Sequence, residues 1–266
     1  MNKAVKLVIL ALLLSVLLIA ISFQVGMQLE RTRSAGEISA LRERLAKAES
    51  TLLDWPQLRR YAEANRAIQP PQPSETRVVF IGDSITSNWS GREFGGFFPQ
   101  KPYINRGIDG QITGQMLARF RQDVIALNPR VVVILGGTND FQEGDVETAF
   151  NNLASMAELA EAHHILVVLA SVLPVNDYSR RADGQPLIQT RQERPAKIIE
   201  LNNRLRNYAS AQGFTYLDYY SALVDDKGML KADLSSDGVH PNAQGYAVMA
   251  PLAEQAIDSA LRSKGK

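Results

Sequence analysis

The chain contains no cysteine, so disulfides and thiolate metal sites are excluded and the fold must rest on packing. This leaves the redox compartment open. Histidine is nearly as scarce: His163, His164 and His240 are the only three, which limits where an imidazole base or metal cluster could be built. An excess of one charge is missing too. A formal net charge of +1 offers no concentrated basic face for a phosphate backbone, so nucleic acid is not an expected partner. What is present is ordinary for a globular protein. Over 266 residues, 45% are hydrophobic and 21% charged, enough to fill a core without covalent staples.

The N-terminus departs from that ordinary composition. Lys3 and Lys6 precede an apolar run from Leu7 to Phe23, relieved only by Ser15 and Ser22. It is longer than a usual signal-peptide core and at the short limit for a spanning helix, which needs roughly 20 residues. Residues 1–26 are therefore expected to act either as a retained signal anchor or as a signal peptide cleaved near Ala20-Ile21-Ser22. The two lysines favour an N-in orientation. The expected setting is the cell envelope, with the remainder of the chain in the periplasm or outside the cell, anchored to the inner membrane or secreted.

Residues 27–68 are expected to form a helical stalk. Ile38, Leu41, Leu45, Ala48 and Leu52 alternate three and four residues apart, an a/d seam of about two to three heptads. Such a stalk either packs on its own domain or forms a short coiled-coil homodimer. Gln69-Pro70-Pro71-Gln72-Pro73 reads as an extended linker, giving 69–76 as the expected boundary of a domain over 77–266.

Within 77–266, apolar runs at Val78 to Ile81, Tyr103 to Asn105, Val131 to Leu135, Ile165 to Ala170 and Thr215 to Leu217 predict buried strands. Helical patterns at Thr113 to Leu127, Val146 to His163, Pro195 to Gln212 and Asn242 to Arg262 alternate with them, and Gly213 is placed as a helix stop. Alternating βα units predict a parallel sheet with helices on both faces. In such sheets ligands bind beyond the carboxyl ends of the strands. Gly82-Asp83-Ser84, Arg106 to Gly110, Gly136 to Asp140 and Ser236 to His240 each fall after a strand and should converge on one rim.

A serine hydroxyl is a poor nucleophile until a neighbouring base takes its proton, and an imidazole held by a carboxylate suits that task. His163 and His164 end a helix, where histidine most often caps or packs. His240 stands in a turn-rich loop three residues after Asp237 and directly before Pro241. Asp237 can therefore reach one ring nitrogen while the other faces Ser84. The backbone N–H groups of Ser84 and Gly110 and the side-chain amide of Asn139 are candidate donors for an oxyanion.

Gly82-Asp83-Ser84, Gly110, Gly137-Thr138-Asn139-Asp140 and Asp237-x-x-His240 together resemble the four sequence blocks of the SGNH hydrolases, or GDSL esterases and lipases. The resemblance covers about Val78 to the C-terminus. It implies a flavodoxin-like α/β/α sandwich with a central parallel sheet of about five strands. It further implies Ser84 as nucleophile, His240 as base, Asp237 as its orienter, and Ser84, Gly110 and Asn139 as oxyanion hole, with no metal or cofactor. Ile85-Thr86 replaces the leucine of the GDSL name, and no G-x-S-x-G elbow occurs.

The activity so implied is hydrolysis of carboxylic esters, whether short acyl esters such as O-acetyl carbohydrate, or lysophospholipid and thioester chains. An O-acyltransferase using the same acyl-enzyme, and a non-catalytic envelope scaffold, are the competing readings. The segment Ser171 to Arg194 is long enough to be a pocket wall or lid. Its Arg180, Arg181, Arg191 and Arg194 either greet an anionic substrate or form a solvated charged loop. Trp89, Phe94, Phe97 and Phe98 either line a pocket or pack the core.

Overall fold

The computed structural model describes residues 22–24, 27–28, 36–46, 49, 52–142 and 144–263. The chain divides into two units, Met1–Trp55 and Pro56–Lys266. In the first, residues 36–46 are helical and Ile38, Leu41 and Leu45 of the expected seam are exposed, while Ala48 lies outside the described residues. The apolar run that carries the anchor reading also lies outside them, Ser22 and Phe23 apart. Among the described residues no helix is long and apolar enough to cross a membrane.

The second unit starts earlier than the boundary expected at 69–76. Pro56 lacks an N–H, and Gln57 has φ of 57°, so residues 54–61 are turns rather than a continuing helix. The chain then forms α1 (Ala62–Ala67), which is tied to the body of the unit. Asn65 Nδ2 donates to Asp123 Oδ1 at 2.6 Å and Arg106 Nε donates to Asn65 Oδ1 at 2.9 Å. The proline segment is also held, because Arg77 Nη2 donates to Gln69 O at 2.9 Å and Ile68 packs on the core.

The strands β1 (Val78–Gly82), β2 (Tyr103–Gly107), β3 (Val131–Leu135), β4 (Leu166–Ala170) and β5 (Thr215–Leu217) form one parallel sheet in the order β2-β1-β3-β4-β5. This is the flavodoxin-like order. In β1, β3 and β4 every residue is buried, because alternate side chains point to opposite faces and both faces are covered. Val79, Ile81, Val132, Ile134, Val167 and Leu169 meet one set of helices. These are α3 (Thr113–Asp123), α4 (Val146–Ala162) and α5 (Arg194–Gln212), which contribute Met116, Phe120, Leu153, Met156, Ile198 and Leu201. Val78, Phe80, Val131, Val133, Leu166 and Val168 face the other side. There they meet α7 (Ala243–Ser263) through Tyr246, Met249 and Ala253. Two five-residue helices lie outside the expected helical segments, α2 (Ser84–Asn88) after β1 and α6 (Tyr219–Leu223) after β5; both are too short to show a 3.6-residue period.

One side chain ties the rim loops to the body. Arg119, on α3, is wholly buried. Its Nε donates to Gln111 Oε1 at 2.6 Å, Nη1 to Asp123 Oδ2 at 3.0 Å and Nη2 to Gly82 O at 3.0 Å. Removing one partner of a buried ion pair leaves the other charge uncompensated. Arg119→Met should therefore lower stability by about 3–5 kcal/mol, read as a reduced urea midpoint; an unchanged midpoint would contradict the role given to this network.

Candidate active site

The order β2-β1-β3 turns the chain in opposite directions on either side of β1. This creates a crevice at the carboxyl ends of β1 and β3. Ser84, the first residue of α2, sits at the end of β1, with Asp83 as the N-cap: its Oδ1 accepts from Ile85 N at 3.0 Å. At the first helical position the Ser84 N–H has no intrahelical acceptor. Asp83 Oδ2 is buried and has no hydrogen-bond partner among the described residues. Burial pushes the Asp83 pKa up to about 6, with Asp140 adding to the effect and the Ile85 N–H and His240 opposing it.

The turn 235–241 delivers the imidazole. Asp237 Oδ1 accepts from Val239 N at 2.9 Å and His240 N at 2.8 Å, while its Oδ2 lies 2.6 Å from His240 Nδ1. One carboxylate thus fixes both the backbone of the turn and the ring. Gly238, at φ of 83°, lets the turn close against a neighbour, since a Cβ there would fall 2.2 Å from Asn176 O. The other ring nitrogen, Nε2, lies 2.9 Å from Ser84 Oγ. With Nδ1–H donating to Asp237, the Nε2 lone pair is left to accept the serine proton.

The electrostatics agree with that assignment. Burial opposes ionisation of Asp237, but the His240 side chain and the two backbone N–H groups outweigh it and hold the carboxyl well below the usual range. The same hydrogen bond raises the His240 pKa against the opposing effect of burial, and Asp83 and Asp109 add to the rise.

The expected oxyanion donors stand beside this chain. Gly110 has φ of 72°, a left-handed turn conformation natural to glycine. The Asn139 amide spends one N–H on Gln111 O at 3.0 Å, which fixes the amide plane and leaves its second donor. Ser84, Gly110, Asn139, Asp237 and His240 all line one cavity of about 410 Å³, and the rest of its wall is Asn88, Asp109, Thr138, Gln189, Arg194 and Val239. All five residues singled out in the sequence are therefore brought together.

Asp140, the last residue of the third block, is turned away from this cavity. Its carboxylate accepts from Thr113 N and Oγ1 and so holds the start of α3. His163 and His164 are exposed at the end of α4. Of the two readings of the aromatic cluster, packing holds: Trp89 and Phe98 are buried with Phe80, and Trp89 stacks on Tyr246 at 5.0 Å. Asn88 and Gln189 were not foreseen. Asn88 carries a findable signal, since it lies one helical turn beyond Ser84 and shares its face. Gln189 carries none, because only the fold of the 171–194 segment brings its amide to Asp237 O at 3.1 Å. That fold is pinned by Asp177, whose carboxylate accepts from Gln189 N, Thr190 N and Thr190 Oγ1.

Comparison with known proteins adds lineage to this geometry. Residues 80–248 match the model of the GDSL-like lipase/acylhydrolase family. A Bacteroides fragilis protein described as a candidate acylhydrolase is 41% identical, with 78% of this chain and 98% of that one aligned and a TM-score of 0.69. A GDSL-like lipase of Bacteroides thetaiotaomicron is 40% identical over 77% and 98% of the two chains, with the same TM-score of 0.69. A catalytic mutant of an acetylxylan esterase from Geobacillus stearothermophilus shares the fold at 18% identity and TM-score 0.55, over 71% and 96%. No curated protein matches the chain significantly.

The raised His240 pKa has a measurable sign. Nε2 accepts the Ser84 proton only when the ring is neutral, so reactivity is present above the His240 pKa and lost as pH falls through it. Labelling of Ser84 by a fluorophosphonate should show a rising limb above imidazole's ordinary value of about 6.5. In Asp237→Asn the limb should move down in pH while the plateau rate drops on the order of 10³–10⁴-fold. A limb that stays in place in that variant would remove Asp237 from the role described.

Proposed function

The chain belongs to the GDSL-like lipase/acylhydrolase family and is a carboxylic ester hydrolase; from that premise we propose that it cleaves short acyl esters of polar alcohols, O-acetyl carbohydrate being the model, with Ser84 as nucleophile. The observation that carries this reading is the contiguous chain Ser84 Oγ, His240 Nε2, His240 Nδ1, Asp237 Oδ2, at 2.9 Å and 2.6 Å.

Ser84 Oγ attacks the ester carbonyl as its proton passes to His240 Nε2, and Asp237 stabilises the imidazolium. The oxyanion of the tetrahedral intermediate is met by the N–H groups of Ser84 and Gly110 and by Asn139 Nδ2, donors already in position before charge develops. Collapse expels the alcohol, which takes the proton from Nε2, and leaves an acyl ester on Ser84. Water, deprotonated by the same nitrogen, then releases the carboxylic acid and restores the serine.

The short-acyl preference is supported by the cavity wall. Among the described lining residues, Val239 alone carries an apolar side chain, whereas Trp89 and Phe98 are buried in the core. A long acyl chain would leave its methylenes against amides and charges, forfeiting about 0.8 kcal/mol for each CH₂ not buried. A polar alcohol finds hydrogen-bonding partners there instead.

Hydrolysis of p-nitrophenyl acetate should be lost in Ser84→Ala and His240→Ala, and reduced on the order of 100- to 1,000-fold in Asn139→Ala. Acetyl esters should exceed octanoyl esters in kcat/KM. Full activity of Ser84→Ala would sink the reading. Product analysis with a sugar acceptor present separates hydrolysis from O-acyl transfer, and free acetate is the expected product. The run Leu7–Phe23 supports a site of action in the cell envelope, outside the cytoplasm. Alkaline phosphatase fused after Pro73 should accordingly be active in a bacterial host; an inactive fusion of normal abundance would overturn export.

A further inference from the structure

Four arginines are buried among the described residues of the second unit: Arg77, Arg106, Arg119 and Arg194. Three of them spend their donors on the protein. Arg77 bonds to Glu75 Oε1, Leu127 O and Gln69 O. Arg106 bonds to Asn65 Oδ1 and Asn105 O, and Arg119 to Gln111, Asp123 and Gly82. Arg194 differs. It is 8% exposed, yet among the described residues its guanidinium makes a single hydrogen bond, Nη2 to Thr138 O at 3.4 Å, at the long limit for such a bond. No carboxylate among the described residues pairs with it, and burial lowers its pKa without an opposing acidic neighbour.

The position of this side chain matters as much as its lack of partners. Arg194 lines the same cavity of about 410 Å³ as Ser84, Asn139 and His240. The other arginines of its loop, Arg180, Arg181 and Arg191, are exposed. A buried cation is costly unless paired, and a guanidinium fork matches the paired oxygens of a carboxylate or phosphate. Asp109, also on the cavity wall, is exposed to water, which screens its repulsion of an anion. Asp237 is already engaged by His240.

We propose that Arg194 is a specificity-determining residue that binds an anionic oxygen group, carboxylate or phosphate, on the substrate. The preferred substrates are then short acyl esters of acidic polar alcohols rather than of neutral ones. This rests on the reading of Ser84 as an ester-cleaving nucleophile, and the test keeps the two apart.

Three acetate esters are compared on the full chain: an acetylated methyl glucoside, the corresponding acetylated methyl glucuronoside, and acetylated glycerol 3-phosphate. Wild type should favour at least one anionic ester over the neutral one by about 10- to 100-fold in kcat/KM, the range for a charge-assisted hydrogen bond. Which one it favours tells carboxylate from phosphate. The ratio should fall partway in Arg194→Lys and to near one in Arg194→Met. A wild-type ratio near one for both anionic esters, or a ratio that survives Arg194→Met, overturns the proposal.

A second measurement needs no variant. Glucuronate or glycerol 3-phosphate should inhibit wild-type hydrolysis of p-nitrophenyl acetate competitively and more tightly than glucose or glycerol, and equal inhibition by all four overturns the proposal as well. Turnover of neutral esters with a flat ratio refutes Arg194 alone. Absence of turnover on every ester, with no fluorophosphonate labelling of Ser84, refutes the esterase reading and this one together.

Discussion

The buried guanidinium of Arg119 is the constraint on which the site depends. Its three bonds reach Gly82 O, at the end of β1 just before Asp83 and Ser84, Gln111 just after Gly110, and Asp123 on its own helix. Gln111 in turn offers its carbonyl to Asn139 Nδ2. The segments that supply all three expected oxyanion donors are thus tied, directly or through one residue, to a single side chain with no access to solvent. Donors held this way need little reorganisation when charge develops, and the low dielectric around them strengthens each bond. The same network explains why the domain starts at Pro56: Asn65 completes the bonding of Asp123, and Pro56 O accepts from Gln111 Nε2 at 2.8 Å.

The proposed base is organised by a different and more local device. Asp237 uses one oxygen for two backbone N–H groups and the other for the His240 ring, so turn and tautomer are set together. This self-contained turn is anchored by the approach of Gly238 to Asn176 and by Gln189 on Asp237 O. A rigid wall of expected donors and the independently built Asp237–His240 pair then meet at Ser84, the one residue common to both.

Much of this is legible in the sequence, for reasons tied to particular residues. The runs Val78 to Ile81 and Val131 to Leu135 announce strands buried on both faces, and their loops carry the polar blocks. Asp237 and His240 are legible as a pair because three residues is the reach of a single turn. Other features are not legible. Arg119 sits in an amphipathic helix, where an arginine normally faces water. Nothing local marks Arg194 apart from the three exposed arginines of its loop. The helical stalk expected through residue 68 is broken at Pro56, and the proline linker is pinned by Arg77, a contact between segments that periodicity does not register.

By itself the sequence determined the kind of chemistry. Chain order and the scarcity of histidine leave His240 as the one partner suited to Ser84, and a parallel sheet brings loops after successive strands to one rim whatever the details of packing. Only the tertiary structure decided which polar side chains are satisfied and which stand open to the cavity. Whether a guanidinium is paired depends on oxygens that come from distant segments: Arg119 finds its own at Gly82, Gln111 and Asp123, whereas among the described residues Arg194 meets only the carbonyl of Thr138. Local periodicity carries no information about such encounters. For that reason the proposed nucleophile could be named from residues alone, while the character of the surface facing its cavity emerged only with the fold.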